Sequence, residues 1–370
     1  MESKIGDTIK LVSKNSSSLF VLASLVIVIA GLVAAKAVIL PMILSLFVSI
    51  ICLKPIFWME KKGIPYTLAV IFTLLIVCLL FVSLGGVIGS SFSQFMTKMP
   101  LYQIQLDQKM KTILDSLDSL GLGIDTKELL VQIEPEKLFA LTTTALGEVG
   151  SFLSDFFLIF LITIFILLEA KIFVVKGKLL DQGGHLKMAS ISKIGKEIRN
   201  YLFLKTIISI ATGLFIWLWL WVIGVDYPIL WGVVAFMLNY IPNIGSIIAA
   251  VPAILLALIQ FGVGASVWVS VGYLLVNMIM GNFIEPKVMG SGLGLSTLVV
   301  FLSLLVWGFV FGSVGMFLSV PLTIVLKIML ESNESTRWLA IMLGTETEAL
   351  DVLSEDENLK DVKMIKDSNE

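Results

Sequence analysis

Asn239, Tyr240, Asn243, Ser246, Asn277 and Asn282 gather in one part of an otherwise apolar chain. Their side chains are amides and hydroxyls, which donate and accept hydrogen bonds without carrying charge. Such a set can hold a small neutral solute that bears hydroxyls. It does not suit a strongly charged one, which would need fixed counter-charges to offset its desolvation. Four of the six lie in "NYIPNIGS", residues 239–246, together with Pro242 and Gly245. Pro242 lacks the N–H that an uninterrupted helix uses, and Gly245 tolerates backbone conformations closed to other residues. Both read as hinges, and Pro286 as a third. A helix leading up to the break would set Asn239 and Asn243 on one face.

Ionisable residues inside apolar runs form a second candidate set: Asp155, Lys205 and Glu285, with Lys36 at the edge of a run. A charge in a membrane is costly and by default marks function, here coupling to an ion or proton. Snorkelling to the interface explains Lys36 and Lys205 as simply, and Asp155 and Glu285 also stand close enough to a run's end to reach it. Enzyme chemistry lacks its parts. The single histidine, His185, excludes H-E-x-x-H and lies outside every apolar run, so it cannot pair with an intramembrane serine. "GSGLG", residues 290–294, is followed by no Lys-Ser or Lys-Thr and is not a phosphate cradle. Cys52 and Cys78 sit in apolar runs and read as small buried hydrophobes. The expectation is a non-enzyme without metal or cofactor.

The residues are positioned by a membrane bundle. Of 370 residues 57% are hydrophobic and 15% charged, against roughly 25% charged in a soluble domain. We read an all-α, polytopic membrane protein with lipid as its solvent, and the net charge of −2 gives no reason to expect a nucleic-acid partner. Eight apolar runs are expected to cross: Leu19–Ala35, Ala37–Leu53, Tyr66–Gly89, Val149–Leu168, Tyr201–Ile223, Ala265–Ile279, Leu295–Phe311 and Val314–Leu330. The first is read as a retained span rather than a signal peptide, because a second follows at once. These runs divide the chain into a three-span unit (1–89), a helical insertion between spans three and four (90–148), a core (149–330) and a tail (331–370).

Basic loops stay in the cytoplasm. The stretch Ala170–Asn200 is rich in Lys and Arg, whereas Asp and Glu outnumber Lys in Ser90–Glu148. One span separates the two, so the first is assigned inside and the second outside, with both termini inside. Single cysteines at Ser116 and Ser190, on a background lacking Cys52 and Cys78, should therefore label from opposite sides; labelling of both from one side would sink the scheme. Within the insertion, Met110, Ile113, Leu114, Leu117 and Leu120 recur at helical spacing, and Asp125–Glu128 reads as a capping box. These helices have three possible seats: the membrane surface, a neighbouring subunit, or the top of the bundle.

The run Ile229–Phe261 is too long for one straight span, since about 20 residues cross the ~30 Å hydrocarbon layer. Three spans follow it and the tail belongs inside, so it must cross an even number of times. It is expected to be a re-entrant or helical hairpin bent at "NYIPNIGS". Broken backbone at membrane depth must be buried in protein or line a wet cavity, and discontinuous helices of this kind recur at solute sites. A plain turn at the membrane surface is the alternative.

Three segments also carry a family resemblance: "YLFLKTIISIATGLFIWLWLWVIGVDYPILWGVVAFMLNYIPNIGSIIAAVPAILLAL", "NFIEPKVMGSGLGLSTLVVFLSLLVWGFVFGSVGMFLSVPLTIVLKIML" and the basic "IGKEIRNYL". Through "NYIPNIGS", the proline of "FIEPKVMG" and "GMFLSVPL", the chain resembles the autoinducer-2 exporter (AI-2E) family of bacterial membrane proteins, also called the PerM family. The resemblance implies secondary transport in the bacterial cytoplasmic membrane, with export of autoinducer-2, a small neutral quorum-sensing signal, as the named activity. It also implies homo-oligomers. "GFVFG" (308–312) and "GGVIG" (85–89) offer small-residue faces for that, or equally for packing within the chain. A sodium/proton antiporter-like permease and a non-transporting scaffold are the alternatives.

Overall fold

The computed structural model describes residues 23–24, 26–119, 140, 142–144, 146–147, 150, 155–182, 188–242, 244–289, 294–346 and 350. The capping box at Asp125–Glu128, His185 and Asn243 lie outside the described residues. The helices are α1 (Lys36–Lys61), α2 (Tyr66–Ser119), α3 (Phe156–Gln182), α4 (Met188–Ile223), α5 (Pro228–Leu238), α6 (Ile244–Phe261) and α7 (Val263–Asn277). A π-helical segment, Met278–Ile284, then leads into α8 (Glu285–Met289). The remainder is α9 (Thr297–Phe311), α10 (Ser313–Phe317), α11 (Ser319–Glu331) and α12 (Arg337–Leu343), with no strand among the described residues.

Among the described residues, six helical segments are long and apolar enough to cross a membrane: Lys36–Lys61, Tyr66–Lys109, Phe156–Gly177, Ile191–Ile223, Ile244–Phe261 and Val263–Lys287. Pro228–Leu238 and Thr297–Phe311 are shorter apolar helices. Large apolar side chains such as Leu79, Phe157, Phe165, Leu274 and Phe309 stand exposed on them. In water that surface would be a liability, but in lipid it is the expected outer face of a bundle. The chain is an all-α polytopic membrane protein.

Helices outrun the apolar runs. Hydropathy ends the third run at Gly89, yet α2 continues to Ser119, 54 residues in all. At ~1.5 Å per residue it is about 80 Å long, well over twice the hydrocarbon thickness. The first part of the insertion is therefore a continuation of the preceding span. Its Phe95, Tyr102 and Leu106 recur at helical spacing and are buried against Ile216, Trp231, Val234 and Leu256. Residues 90–109 thus lie on the bundle; the seat of the apolar side chains in 110–120 and of the helix expected from Asp125 lies outside the described residues. α3 and α4 likewise extend as helices into the basic stretch between them.

At the start, Ala35 alone separates helical residues 31–34 from α1, at φ −91° and ψ 4°. The ladder runs through it, with Ala35 N on Gly31 O and Ile39 N on Ala35 O. α1 packs on α3 through small polar residues: Ser45 Oγ donates to the Ile159 carbonyl at 2.9 Å, and Thr163 is buried beside it. Close approach through small residues is how helices associate where lipid removes the hydrophobic drive.

Candidate functional site

The run 229–261 folds as an antiparallel helical hairpin. At its open end Asp226 N donates to Gln260 Oε1 at 3.1 Å. At its closed end α5 stops at Leu238 and α6 starts at Ile244. The ladder tightens before it fails: Asn239 N bonds Ala235 O, four residues back, but Tyr240 N bonds Met237 O and Ile241 N bonds Leu238 O, three back. Pro242 then has no N–H to continue. Gly245 closes the turn so tightly that a Cβ there would lie 2.7 Å from the Leu238 carbonyl carbon and nearer still to its oxygen. With 11 residues, about 16 Å, α5 is too short to cross the membrane alone.

The open end is tied to the long helix. Tyr102 Oη donates to Asp226 Oδ2 at 2.7 Å, Lys98 pairs with the same oxygen at 3.5 Å, and Trp231 Nε1 donates to the Asp226 carbonyl at 3.1 Å. Phe95 packs edge-on to Trp231 with centroids 5.8 Å apart.

The closed end meets a polar face of α4. Tyr201, Lys205, Ser209 and Thr212, spaced four, four and three apart, are all buried, and one side of a helix carries them. Asn239 Nδ2 donates to Ser209 Oγ at 2.9 Å, and the Tyr240 and Thr206 hydroxyls lie 2.7 Å apart. The Tyr240 ring stacks on Phe317 at 4.4 Å. Beside them Lys205 Nζ donates to Glu285 Oε1 at 2.6 Å, the lysine side chain 3% exposed and the glutamate 23%. Glu285 follows the π segment, and its N bonds Met280 O, five residues back. Pro286 explains the wide turn: its ring excludes a normal i−4 bond, so the ladder loosens ahead of it.

A family model for AI-2E family transporters matches residues 22–334. The chain belongs to the AI-2E transporter family. Relatives span nearly all of it. It is 38% identical over 323 residues to the AI-2 transport protein TqsA of Escherichia coli K12, covering 87% of this chain and 94% of that protein. With the putative transport protein YhhT of the same organism it shares 35% over 323 residues, 87% and 93% of the two chains. The putative transport protein YrrI of Bacillus subtilis is 27% identical over 313 residues, 80% and 86% covered.

Within this AI-2E transporter the two candidate sets meet on α4. Asn239, Tyr240, Lys205 and Glu285 come together there. Ser246 is half-buried in the first turn of α6, and Asn277 is half-buried at the end of α7. Asn282 and Pro286 are exposed, and Asp155 stands exposed just ahead of α3. Lys205 does not snorkel: its ammonium is buried on Glu285. Reasoning from the hairpin alone missed Tyr201, Thr206, Ser209 and Thr212. Their signal was present, since polar residues recur at helical spacing through "YLFLKTIISIAT".

Proposed function

We propose that the chain exports autoinducer-2, or a similar small neutral polar solute, across the bacterial cytoplasmic membrane. The path lies where the hairpin break meets the polar face of α4. One observation carries this reading: Asn239 and Tyr240, in the break, each share a hydrogen bond with a hydroxyl of α4 inside the bundle. Uncharged groups paired with one another can re-pair with solute hydroxyls at small net cost, which a turn exposed at the surface would have no reason to arrange. The name of TqsA supports autoinducer-2 as the solute. We infer a homo-oligomer as well. Among the described residues, nothing lies within 4 Å of a Cβ at Gly85, Gly86 or Gly89 in α2, whereas Gly308 already packs on Met316 of its own chain.

Purified protein in liposomes tests the path. The Asn239→Leu plus Asn243→Leu variant keeps approximate bulk, so it should insert and assemble while autoinducer-2 efflux is lost. Wild-type efflux from it would reduce the break to a turn. The Lys205–Glu285 pair favours one second reading, a sodium/proton antiporter-like permease, because proton coupling needs an intramembrane acid or base. Sodium-driven alkalinisation of the same liposomes without autoinducer-2 flux would favour it.

A further inference from the structure

Lys205, Thr212 and Trp219 stand seven residues apart on α4, so they follow one stripe that drifts only about 20° per step. The outer two grip the same antiparallel neighbour. Lys205 pairs with Glu285 at 2.6 Å, and Trp219 Nε1 donates to the Trp268 carbonyl at 3.0 Å. Thr212 lies between them, 5% exposed, and its hydroxyl has no hydrogen-bond partner among the described residues. A buried hydroxyl left unpaired is costly and calls for a reason.

The neighbour supplies a matching group. Seven residues of α4 rise about 10 Å from Lys205 to Thr212. The same distance back from Glu285, through the π segment, reaches the end of α7 at Asn277. That residue is half-buried, and its amide oxygen lies over Gly281, 3.3 Å from where a Cβ would be. Thr212 and Asn277 thus share a level, as Lys205 and Glu285 do one rung away. Thr212 is also midway along its apolar run, Tyr201–Ile223, and Asn277 lies within the span Val263–Lys287. We propose that Thr212 and Asn277 form a solute-binding rung near the membrane centre, selective for a neutral molecule that presents hydroxyls to both. This rests on the export reading above. The hydroxyl of Thr212 accepts from or donates to one solute hydroxyl, and the carboxamide offers two donors and an acceptor to the next.

The test uses the full chain in liposomes with autoinducer-2 as the probe, alongside denaturant unfolding in detergent. Thr212→Val keeps the shape and removes only the hydroxyl. It should raise KM roughly tenfold, the loss of about one hydrogen bond, with an unfolding midpoint equal to or above wild type. Thr212→Ser should restore the wild-type KM, and Asn277→Leu gives an independent arm with the same expected rise. A wild-type KM in Thr212→Val, or a lowered midpoint with KM unchanged, overturns the rung. If Asn239→Leu plus Asn243→Leu abolishes efflux while Thr212→Val and Asn277→Leu behave as wild type, the path stands and the rung falls. Wild-type protein that moves no autoinducer-2 overturns both.

Discussion

Glu285→Gln, made alone, is expected to lower the unfolding free energy by about 3–5 kcal/mol, and Lys205→Met added to it to recover most of that loss. The asymmetry follows from burial. The Lys205 side chain is 3% exposed and its ammonium is 2.6 Å from Glu285 Oε1. Neutralising the glutamate strands a buried positive charge, whereas removing both leaves an apolar side chain beside a neutral amide. Denaturant titration of the wild type and the two variants measures it. Equal, small effects in the single and double variants would mean that Lys205 reaches water. The double variant also separates the two functional readings. Efflux of a neutral solute should persist in it, while sodium/proton exchange through Glu285 would vanish.

A comparable loss is expected at Gly245. A methyl group there would collide with the Leu238 carbonyl, 2.7 Å from its carbon, and with Ile241 Cβ at 3.1 Å. The first obstacle is backbone and cannot swing aside. Gly245→Ala should therefore cost at or above the ~3 kcal/mol end of overpacking and abolish efflux by spreading the closed end of the hairpin. Gly195→Ala, in α4, is the control: among the described residues a Cβ at Gly195 meets nothing within 4 Å, and alanine favours a helix by about 1 kcal/mol over glycine. Gly245→Ala with a wild-type unfolding midpoint would show that the turn has room to relax.

The hairpin was legible because its cause is local. Pro242 and Gly245 break the ladder whatever surrounds them, and both fall inside one apolar run. Helix ends were less legible. Hydropathy reports where lipid ends, and nothing in Ser90–Ser119 stops α2 from continuing into water; Pro100 is accommodated within it. The Lys205–Glu285 pair was hidden for a different reason. Eighty residues separate the partners, and only antiparallel packing of α4 on the segment after α7 brings them together. Taken singly, Lys205 near a run's end looks like a lysine that reaches the interface. The polar face of α4 falls between these cases: its spacing was readable, but its meaning depended on knowing that Asn239 and Tyr240 lie against it.

The π segment makes one stretch of the chain tolerant of losing a residue. Each of its bonds spans five residues instead of four, so it stores an extra residue relative to an α-helix. Deleting any one residue between Met278 and Ile284 would let the ladder close to α-helical spacing and leave everything beyond it nearly in phase, because six residues at ~100° turn about as far as seven at the ~80° of a π-helix. Glu285 would then still face Lys205, and α8 would present the same side to α4. The same deletion made earlier, in α7, releases no stored residue and would turn Glu285 by about 100° away from the buried lysine, because the phase of the helix decides which side chain that lysine meets.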